Sequence, residues 1–113
     1  MATDSPRRGD VWWVAFDPSV GGEIQKTRPA IVISNNGANL ALNRLIVVPL
    51  TSQIAKVYPG QAMVTLNGEP RKAMADQLTT ASKKRIGSRL GELSVADMAN
   101  VERAILLHLG IRR

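Results

Sequence analysis

The sequence contains no cysteine and a single histidine, His108. Without cysteine, neither a disulfide framework nor a thiolate zinc site can form, and this absence is typical of a protein of the reducing cytoplasm. One histidine excludes catalysis by a histidine pair, and a lone histidine near a helix end is more often structural or solvated. The acidic residues are scattered, with no spacing typical of a metal-binding cluster. We therefore expect no metal and no other cofactor.

Long apolar runs are also missing. No apolar stretch approaches the roughly 20 residues that span a bilayer, and the first ten residues lack the apolar core of a signal peptide. Gly21-Gly22 has neither the spaced glycines nor the Lys-Ser/Thr pair of a nucleotide-binding loop. We expect a soluble, cytoplasmic protein without a membrane partner, and an enzyme that needs a bound nucleotide is a poor hypothesis.

Basic residues, in contrast, are in excess. Fifteen Lys and Arg against nine Asp and Glu give a net charge of +6 on 113 residues. Such a surplus favours a polyanionic partner, because neutralising phosphates releases counterions. The densest cluster is Ser82–Arg85 with Arg89; it can bind phosphate, although a charge run is more often a solvated face. The length predicts one domain, residues 9–113, after a polar, flexible tail of residues 1–8.

The apolar pattern predicts a small sheet followed by one helix. Val11–Phe16 is apolar on both faces, so we expect both to be covered, one by the core and the other by a helix or a second subunit. Pro49, inside the third apolar run, indicates an edge strand or a bulge, and Asn67-Gly68 predicts a hairpin turn. Further strands are predicted over 30–34, 44–50, 62–66, 71–76 and 77–81.

The last part of the chain has the signals of a single amphipathic helix. Ser94 with Asp97 three residues later forms a capping-box pattern, and Gly110 lies where a helix stop is expected. The order of the predicted elements, with all strands before a single final helix, predicts a mainly β fold. We expect a strongly bent antiparallel sheet or barrel with a C-terminal α-helix.

Three residues remain as candidates for chemistry: Glu23, Arg28 and Thr51. RNA carries its own nucleophile, the 2′-hydroxyl, so its cleavage needs a proton acceptor, a cation for the phosphate and hydrogen-bond donors, but no metal. Arg28 suits the role of the cation because its planar guanidinium matches the geometry of the phosphate oxygens, and the Thr51 hydroxyl can donate a hydrogen bond to one of them. Glu23 is the natural base, since an arginine stays protonated at ordinary pH.

Several motifs resemble those of one known family. Gly9–Pro18, Gly21-x-Glu23 and Thr27–Asn35, and further on Val47–Ser52 and Ala75–Gln77, are similar to motifs of the MazF/PemK-type toxins of bacterial type II toxin–antitoxin systems. The motifs occur in the same order as in that family, and the similarity covers about residues 7 to 110.

The resemblance implies the SH3-like antiparallel barrel of the MazF/CcdB toxin fold and a homodimer. It also implies a sequence-specific, metal-independent endoribonuclease that cuts single-stranded RNA by 2′-hydroxyl attack and leaves 2′,3′-cyclic phosphate and 5′-hydroxyl ends. The substrate would be messenger RNA, with transfer or ribosomal RNA as alternatives, and its cleavage would inhibit translation and growth. A cognate MazE-like antitoxin would neutralise the toxin.

The resemblance also assigns residues. The catalytic arginine of the family falls on Arg28, its catalytic threonine on Thr51 and its loop glutamate on Glu23, and whether Glu23 or Arg28 acts as the base stays open. Gln77 matches a position near the substrate. The other candidates for RNA contact lie beside these motifs or in the loops expected to set specificity, 35–43 and 53–60; they are Lys26, Thr27, Asn35, Ser52, Lys56 and Tyr58.

Two other functions stay open. The same fold serves gyrase-poisoning toxins similar to CcdB, but no such C-terminal signature is present in 106–113. A non-catalytic RNA-binding barrel is the second alternative; against it, few aromatic side chains outside the first strand could stack on bases, Tyr58 being the exception.

Overall fold

The computed structural model describes residues 5–16 and 26–112, and within them the chain is mainly β with a C-terminal helix, as predicted. Two 3-10 helices, Ala75–Gln77 and Lys83–Arg85, flank the sixth strand. The other elements are β1 (Asp10–Phe16), β2 (Lys26–Val32), α1 (Asn36–Ala41), β3 (Arg44–Thr51), β4 (Ala62–Leu66), β5 (Glu69–Ala73), β6 (Thr79–Ser82), β7 (Ile86–Glu92) and α2 (Val95–Leu109).

The strands form one curled antiparallel sheet. Its order is β4-β5-β3-β2-β1-β7, and β6 pairs with the first half of β3. β6 lies beside β3 and β7 lies beside β1, and β2 separates β3 from β1 in the sheet. Nevertheless, β6 and β7 are joined only by the 3-10 helix Lys83–Arg85. So short a connection requires the sheet to bend over on itself, and this half-barrel confirms the predicted barrel-like fold.

Each face of the central strands has its own apolar cluster. Val11 of β1 packs with Ile31 and Val48 in a cluster that includes Val101 of α2. The neighbouring Trp12 belongs to the second cluster, inside the curl, with residues of β2, β3 and β6. The prediction that both faces of β1 are covered is thus confirmed for most of the strand. Trp13 is 37% exposed in the single chain, so its covering by a second subunit stays a prediction.

Pro49 lies in a central strand, so the predicted edge position is wrong. β3 is bonded to β2 along one side and to β6 and β5 along the other. The β6 ladder ends at Val47 and the β5 ladder begins at Leu50, so Pro49 lies where the partner changes. A residue without an N–H is tolerated there because no ladder needs its donor, and its carbonyl still accepts from the Met74 N–H at 2.9 Å.

Helix α1, strand β7 and the two 3-10 helices have no counterpart in the predictions from sequence. Helix α1 begins directly after Asn35, whose side chain accepts from the Ala38 N–H at 2.8 Å, and the sequence had indicated only a break there. Strand β7 begins directly after the 3-10 helix Lys83–Arg85 and contains Arg89, the last residue of the basic cluster. The hairpin turn is confirmed: Asn67 and Gly68 both have positive φ, at 50° and 82°.

The predicted ends of α2 are confirmed. The Ser94 side chain accepts from the Asp97 N–H at 3.1 Å, and Gly110 closes the helix with a φ of 73°. Asp97 does not complete the reciprocal capping box in the described structure, because its carboxylate accepts from the Thr65 N–H at 2.9 Å. The cap therefore also attaches α2 to β4. Within the described residues, no helix is long and apolar enough to cross a membrane.

The end of the predicted tail is attached to the fold. The Arg7 N–H donates to the Asp10 carboxylate at 2.9 Å, and the Arg8 N–H donates to the Asn36 side chain. Asp10 is buried and also accepts from the Trp12 indole at 3.2 Å and from Arg89 at 3.2 Å. The hydrogen bond to Asp10 raises the pKa of Arg89 above its ordinary value. Residues 1–4 of the predicted tail lie outside the described residues.

The two tryptophans of β1 should differ in their contribution to stability. Because Trp12 is buried inside the curl, Trp12→Ala should lower the free energy of unfolding by about 3–5 kcal/mol. Trp13→Ala should cost less, about 1–3 kcal/mol, since part of that ring remains in water. Urea denaturation of both variants measures the difference, and equal losses would contradict this view of the strand.

Asn35 should contribute to stability as a helix cap. Asn35→Ala removes the acceptor for the Ala38 N–H and should cost about 1 kcal/mol. Asn35→Asp keeps an acceptor and is the matched control, which should lose less than half as much. Thermal unfolding of the two variants provides the measurement; identical melting temperatures for Asn35→Ala and the unmodified protein would exclude a capping role.

Candidate active site

The strand register brings Arg28 and Thr51 together. The β2–β3 ladder ends with Ala30 opposite Pro49, and Arg28 and Thr51 lie two residues beyond this pair on their respective strands. Side chains two residues apart on a strand share a face, so Arg28 and Thr51 lie on one face of adjacent strands. Within an antiparallel ladder, opposite residues have Cβ atoms roughly 5 Å apart, and Arg28 and Thr51 lie just past the last bonded pair of this ladder. This is the arrangement expected for the two residues as a catalytic pair.

The pair lies where the inside of the curl opens. Ala30 and Val47, further along the same face, belong to the apolar cluster that β6 covers. β6 starts at Thr79, opposite Val47, so its ladder does not reach the level of Thr51. Arg28 and Thr51 are half-buried there. The polar pair therefore sits directly on an apolar core, which limits side-chain motion and strengthens electrostatic interactions at this position.

The Thr51 hydroxyl is oriented by its own loop. Its Oγ1 accepts from the Gln53 N–H at 3.1 Å, a short-range turn typical of threonine. A hydroxyl has two acceptor lone pairs and one hydrogen to donate. With one lone pair engaged on the loop side, the O–H remains available to donate towards an anion in front of the strand ends.

The loop after Thr51 carries three predicted RNA-contacting residues, Ser52, Lys56 and Tyr58, all exposed. The loop is bonded at two points, to β5 and to the 3-10 helix Ala75–Gln77. The Lys72 ammonium of β5 donates to the Lys56 carbonyl at 3.0 Å, and the Asp76 N–H donates to the carbonyl of Gly60 at 2.9 Å. The structure thus brings these three side chains to the side of β3 where β5 lies.

Gln77 approaches the site from the turn between β5 and β6. It ends the 3-10 helix Ala75–Gln77, and the residue before that helix, Met74, bonds to Pro49, two residues from Thr51. Gln77 is half-buried. The structure therefore places Gln77 near the candidate pair Arg28 and Thr51, on the side of β3 that faces away from β2.

Lys26 and Thr27 precede Arg28 at the start of β2, and both are exposed. Lys26 shares the face of Arg28, whereas alternation puts Thr27 on the other face. The φ of Lys26 is 71°, a left-handed conformation that costs about 1–2 kcal/mol in a residue with a Cβ. Non-glycine residues in this region are found preferentially at functional sites.

Two predicted residues are not part of this group as described. Asn35 lies beyond the opposite end of β2, seven residues from Arg28, or roughly 20 Å along an extended chain, and its side chain caps α1. Glu23 lies outside the described residues. Among residues 5–16 and 26–112, no group of three or more His, Cys, Asp and Glu could hold a metal ion.

The basic cluster at Lys83–Arg85 is distributed over both ends of the sheet. Lys83 donates to the Asn39 carbonyl near α1, whereas Arg85 donates to the Ala15 carbonyl at 3.4 Å, near the start of β2. Arg89 forms ion pairs with Asp10 and Glu92 at the far end of β1. These side chains do not form one patch.

The sequence reasoning missed Lys72. Its position is set by the β3–β5 ladder, in which Thr51 is opposite Lys72. No local motif indicates this pairing, because 21 positions separate the two residues in the chain. The 67–68 turn fixes the register of β4 and β5, but it does not specify which strand β5 joins on its other side.

Comparison with known proteins gives a consistent family. Residues 7–109 match the family described as PemK-like, MazF-like toxin of type II toxin-antitoxin system. The chain is 39% identical to Endoribonuclease MazF9 of Mycobacterium tuberculosis, covering 93% of this chain and 97% of the relative. It is 33% identical to the Endoribonuclease toxin MazF of Escherichia coli K12, covering 93% and 95%.

Solved structures agree with the sequence comparison. The crystal structure of MazF (Form-I) from Deinococcus radiodurans superimposes with a TM-score of 0.85 at 27% identity, over 96% of this chain and all of that chain (100%). The MazE-MazF structure (Form-III) from the same organism gives 0.76 at 29% identity, over 96% and 100%. On the family match and these identities, the chain belongs to the PemK-like, MazF-like toxins of type II toxin–antitoxin systems.

Proposed function

We propose that this protein is an endoribonuclease toxin that cleaves single-stranded RNA without a metal ion. The observation that carries the proposal is the juxtaposition of Arg28 and Thr51 at the open end of the curled sheet. Support comes from the family and from two relatives that are named endoribonucleases. The net charge of +6 suits a polyanionic substrate.

In this mechanism the 2′-hydroxyl of the nucleotide before the cut attacks its own 3′-phosphate. The bond from the 2′-oxygen to phosphorus forms as the bond to the 5′-oxygen breaks, which leaves a 2′,3′-cyclic phosphate and a 5′-hydroxyl. The Arg28 guanidinium neutralises the charge that builds up on the phosphate oxygens, and the Thr51 hydroxyl donates to one of them. Positioned donors of this kind typically contribute 10²–10³-fold each.

The reaction also moves two protons, one from the 2′-hydroxyl and one to the leaving 5′-oxygen. Glu23, a few residues before Arg28, is the better base of the two candidates, because a guanidinium stays protonated at ordinary pH. Arg28 remains the alternative. Cleavage rates of the unmodified protein and of Glu23→Gln over a range of pH distinguish the two. If Glu23 is the base, the rate should rise with pH as its carboxylate ionises, and the variant should lack this rise.

The proposal includes partners. The D. radiodurans structures titled MazE-MazF pair a MazF with MazE, and by family likeness we expect a cognate MazE-like antitoxin for this chain. A homodimer, sequence-specific cutting of messenger RNA in the cytoplasm and arrest of translation and growth complete the proposed function. The expected RNA contacts around Arg28 and Thr51 are Gln77, Lys26, Ser52, Lys56 and Tyr58. Thr27 lies on the other face of β2.

Removal of the Arg28 side chain should abolish cleavage without unfolding the protein. With a long RNA and excess EDTA, the unmodified protein should cut, and Arg28→Ala should be slower by at least 10²-fold because phosphate charge is no longer neutralised. Arg103→Ala removes the same charge from an exposed site on α2 and is the control. RNA left intact by the unmodified protein in EDTA would refute metal-free cleavage, and gyrase-trapped DNA breaks would favour a CcdB-like toxin.

Thr51 should act through its hydroxyl. Thr51→Val keeps the shape and loses the donor, so kcat should fall by about 10–10³-fold, whereas Thr51→Ser should retain most of the activity. Single-turnover cleavage of a defined RNA measures both. If the valine variant were as active as the serine variant, the hydroxyl would have no role in the reaction.

A further inference from the structure

Lys72 is a second cation beside the catalytic pair. It lies in β5 directly opposite Thr51, on the other side of β3 from Arg28. Opposite residues share a face, so the Lys72 side chain projects from the same face as Thr51. The residue is half-buried, which restricts the reach of its long side chain. The site therefore has a basic group on each side of the threonine hydroxyl.

The charge of Lys72 is not matched by an acid in the part of the chain that the structure describes. Its ammonium donates to the backbone carbonyl of Lys56 at 3.0 Å, and no ion pair to a described Asp or Glu is formed. An ammonium has three N–H donors. One is used on the Lys56 carbonyl, so two remain to bind an anion in front of the sheet.

We propose that Lys72 binds the RNA phosphate next to the one that is cleaved, on the side of the Ser52–Gly60 loop. The proposal rests on the endoribonuclease function above. Arg28 and Lys72 stand on strands on either side of β3, two strand spacings or roughly 10 Å apart. The Lys72 ammonium is held at the Lys56 carbonyl, on the side of β3 away from Arg28, so a chain of phosphates crossing the strand ends would meet Arg28 and Lys72 in turn.

The same hydrogen bond gives Lys72 a second effect on the site. By binding the Lys56 carbonyl, the ammonium ties the loop that carries Lys56 and Tyr58 to the strand beside Thr51. Binding of phosphate and positioning of this loop therefore depend on one group. We assign Lys72 to substrate binding, so its loss should raise KM more than it lowers kcat.

The test compares Lys72→Met with Arg71→Met. Arg71 is the adjacent residue of β5, is also half-buried and loses the same charge, but alternation turns it to the opposite face, where its guanidinium donates to the Pro70 carbonyl. The binding probe is a single-stranded DNA oligonucleotide, which lacks the 2′-hydroxyl and cannot be cut. Its affinity is measured over a range of salt concentrations, and cleavage kinetics are measured with RNA of the same sequence.

Each phosphate contact to a single strand contributes about 0.7 to the slope of log affinity against log salt. Lys72→Met should flatten the slope by about 0.7 and raise KM for RNA roughly fivefold at 0.1 M salt, with kcat changed less than twofold. Arg71→Met should leave both near the unmodified values, and Lys72→Arg should restore the slope. Equal slopes for the two methionine variants, or a loss in kcat alone, would overturn the assignment.

The outcomes separate this inference from the proposed function. If the unmodified protein does not cut RNA, the endoribonuclease proposal fails, while the salt slope on DNA still tests whether Lys72 contacts phosphate. If the protein cuts RNA and Lys72→Met behaves like Arg71→Met, only the Lys72 assignment fails. Thermal unfolding of both variants is the control for folding, and a selective loss of stability in Lys72→Met with an unchanged slope would reveal a structural tether instead.

Discussion

The antiparallel register around β3 is the constraint on which the site depends. The β5 ladder pairs Thr51 with Lys72, and the β2 ladder, continued two residues past Ala30 and Pro49, brings Arg28 to the same level and face. A shift of either ladder by one residue would turn the shifted side chains to the opposite face, because the side-chain period of a strand is two. The same shift would turn Ile31 or Val48 out of the cluster in which it is fully buried and into the cluster on the other face, which other side chains already fill. The apolar core therefore fixes the geometry of the polar site.

The open end of the curl results from the change of partner along β3. β6 covers the inner face as far as Val47, and β5 takes over at Leu50, with Pro49 between them. A proline has no N–H to extend a ladder, so it suits the short gap between the β6 ladder and the β5 ladder. After Pro49, β6 no longer covers the inner face of β3, and the residues there are half-buried and polar. An open site with a rigid, apolar base is the consequence.

The sequence predicted the parts of the fold that rest on local signals. The caps Ser94 and Gly110 bounded α2 correctly, and Asn67-Gly68 identified its hairpin. Elements that depend on partners distant in sequence were missed: β7 is polar and glycine-containing, and it is a strand because β1 pairs with it. The candidate pair Arg28 and Thr51 came from residue chemistry and was strengthened by a family resemblance, whereas Lys72 follows only from the β3–β5 register.

Position on the sheet also explains why equal charges have unequal roles. Arg89 is held between Asp10 and Glu92, so its charge is already balanced and serves the attachment of the N-terminal segment. Lys72 is bonded to a neutral carbonyl, which orients the ammonium without cancelling its charge. A cation that is oriented but not neutralised keeps its attraction for an anion, and partial burial strengthens it relative to an exposed lysine. The net charge of +6 favours the approach of a polyanion to the protein as a whole, and in our proposal side chains held in this way determine where its phosphates come to rest.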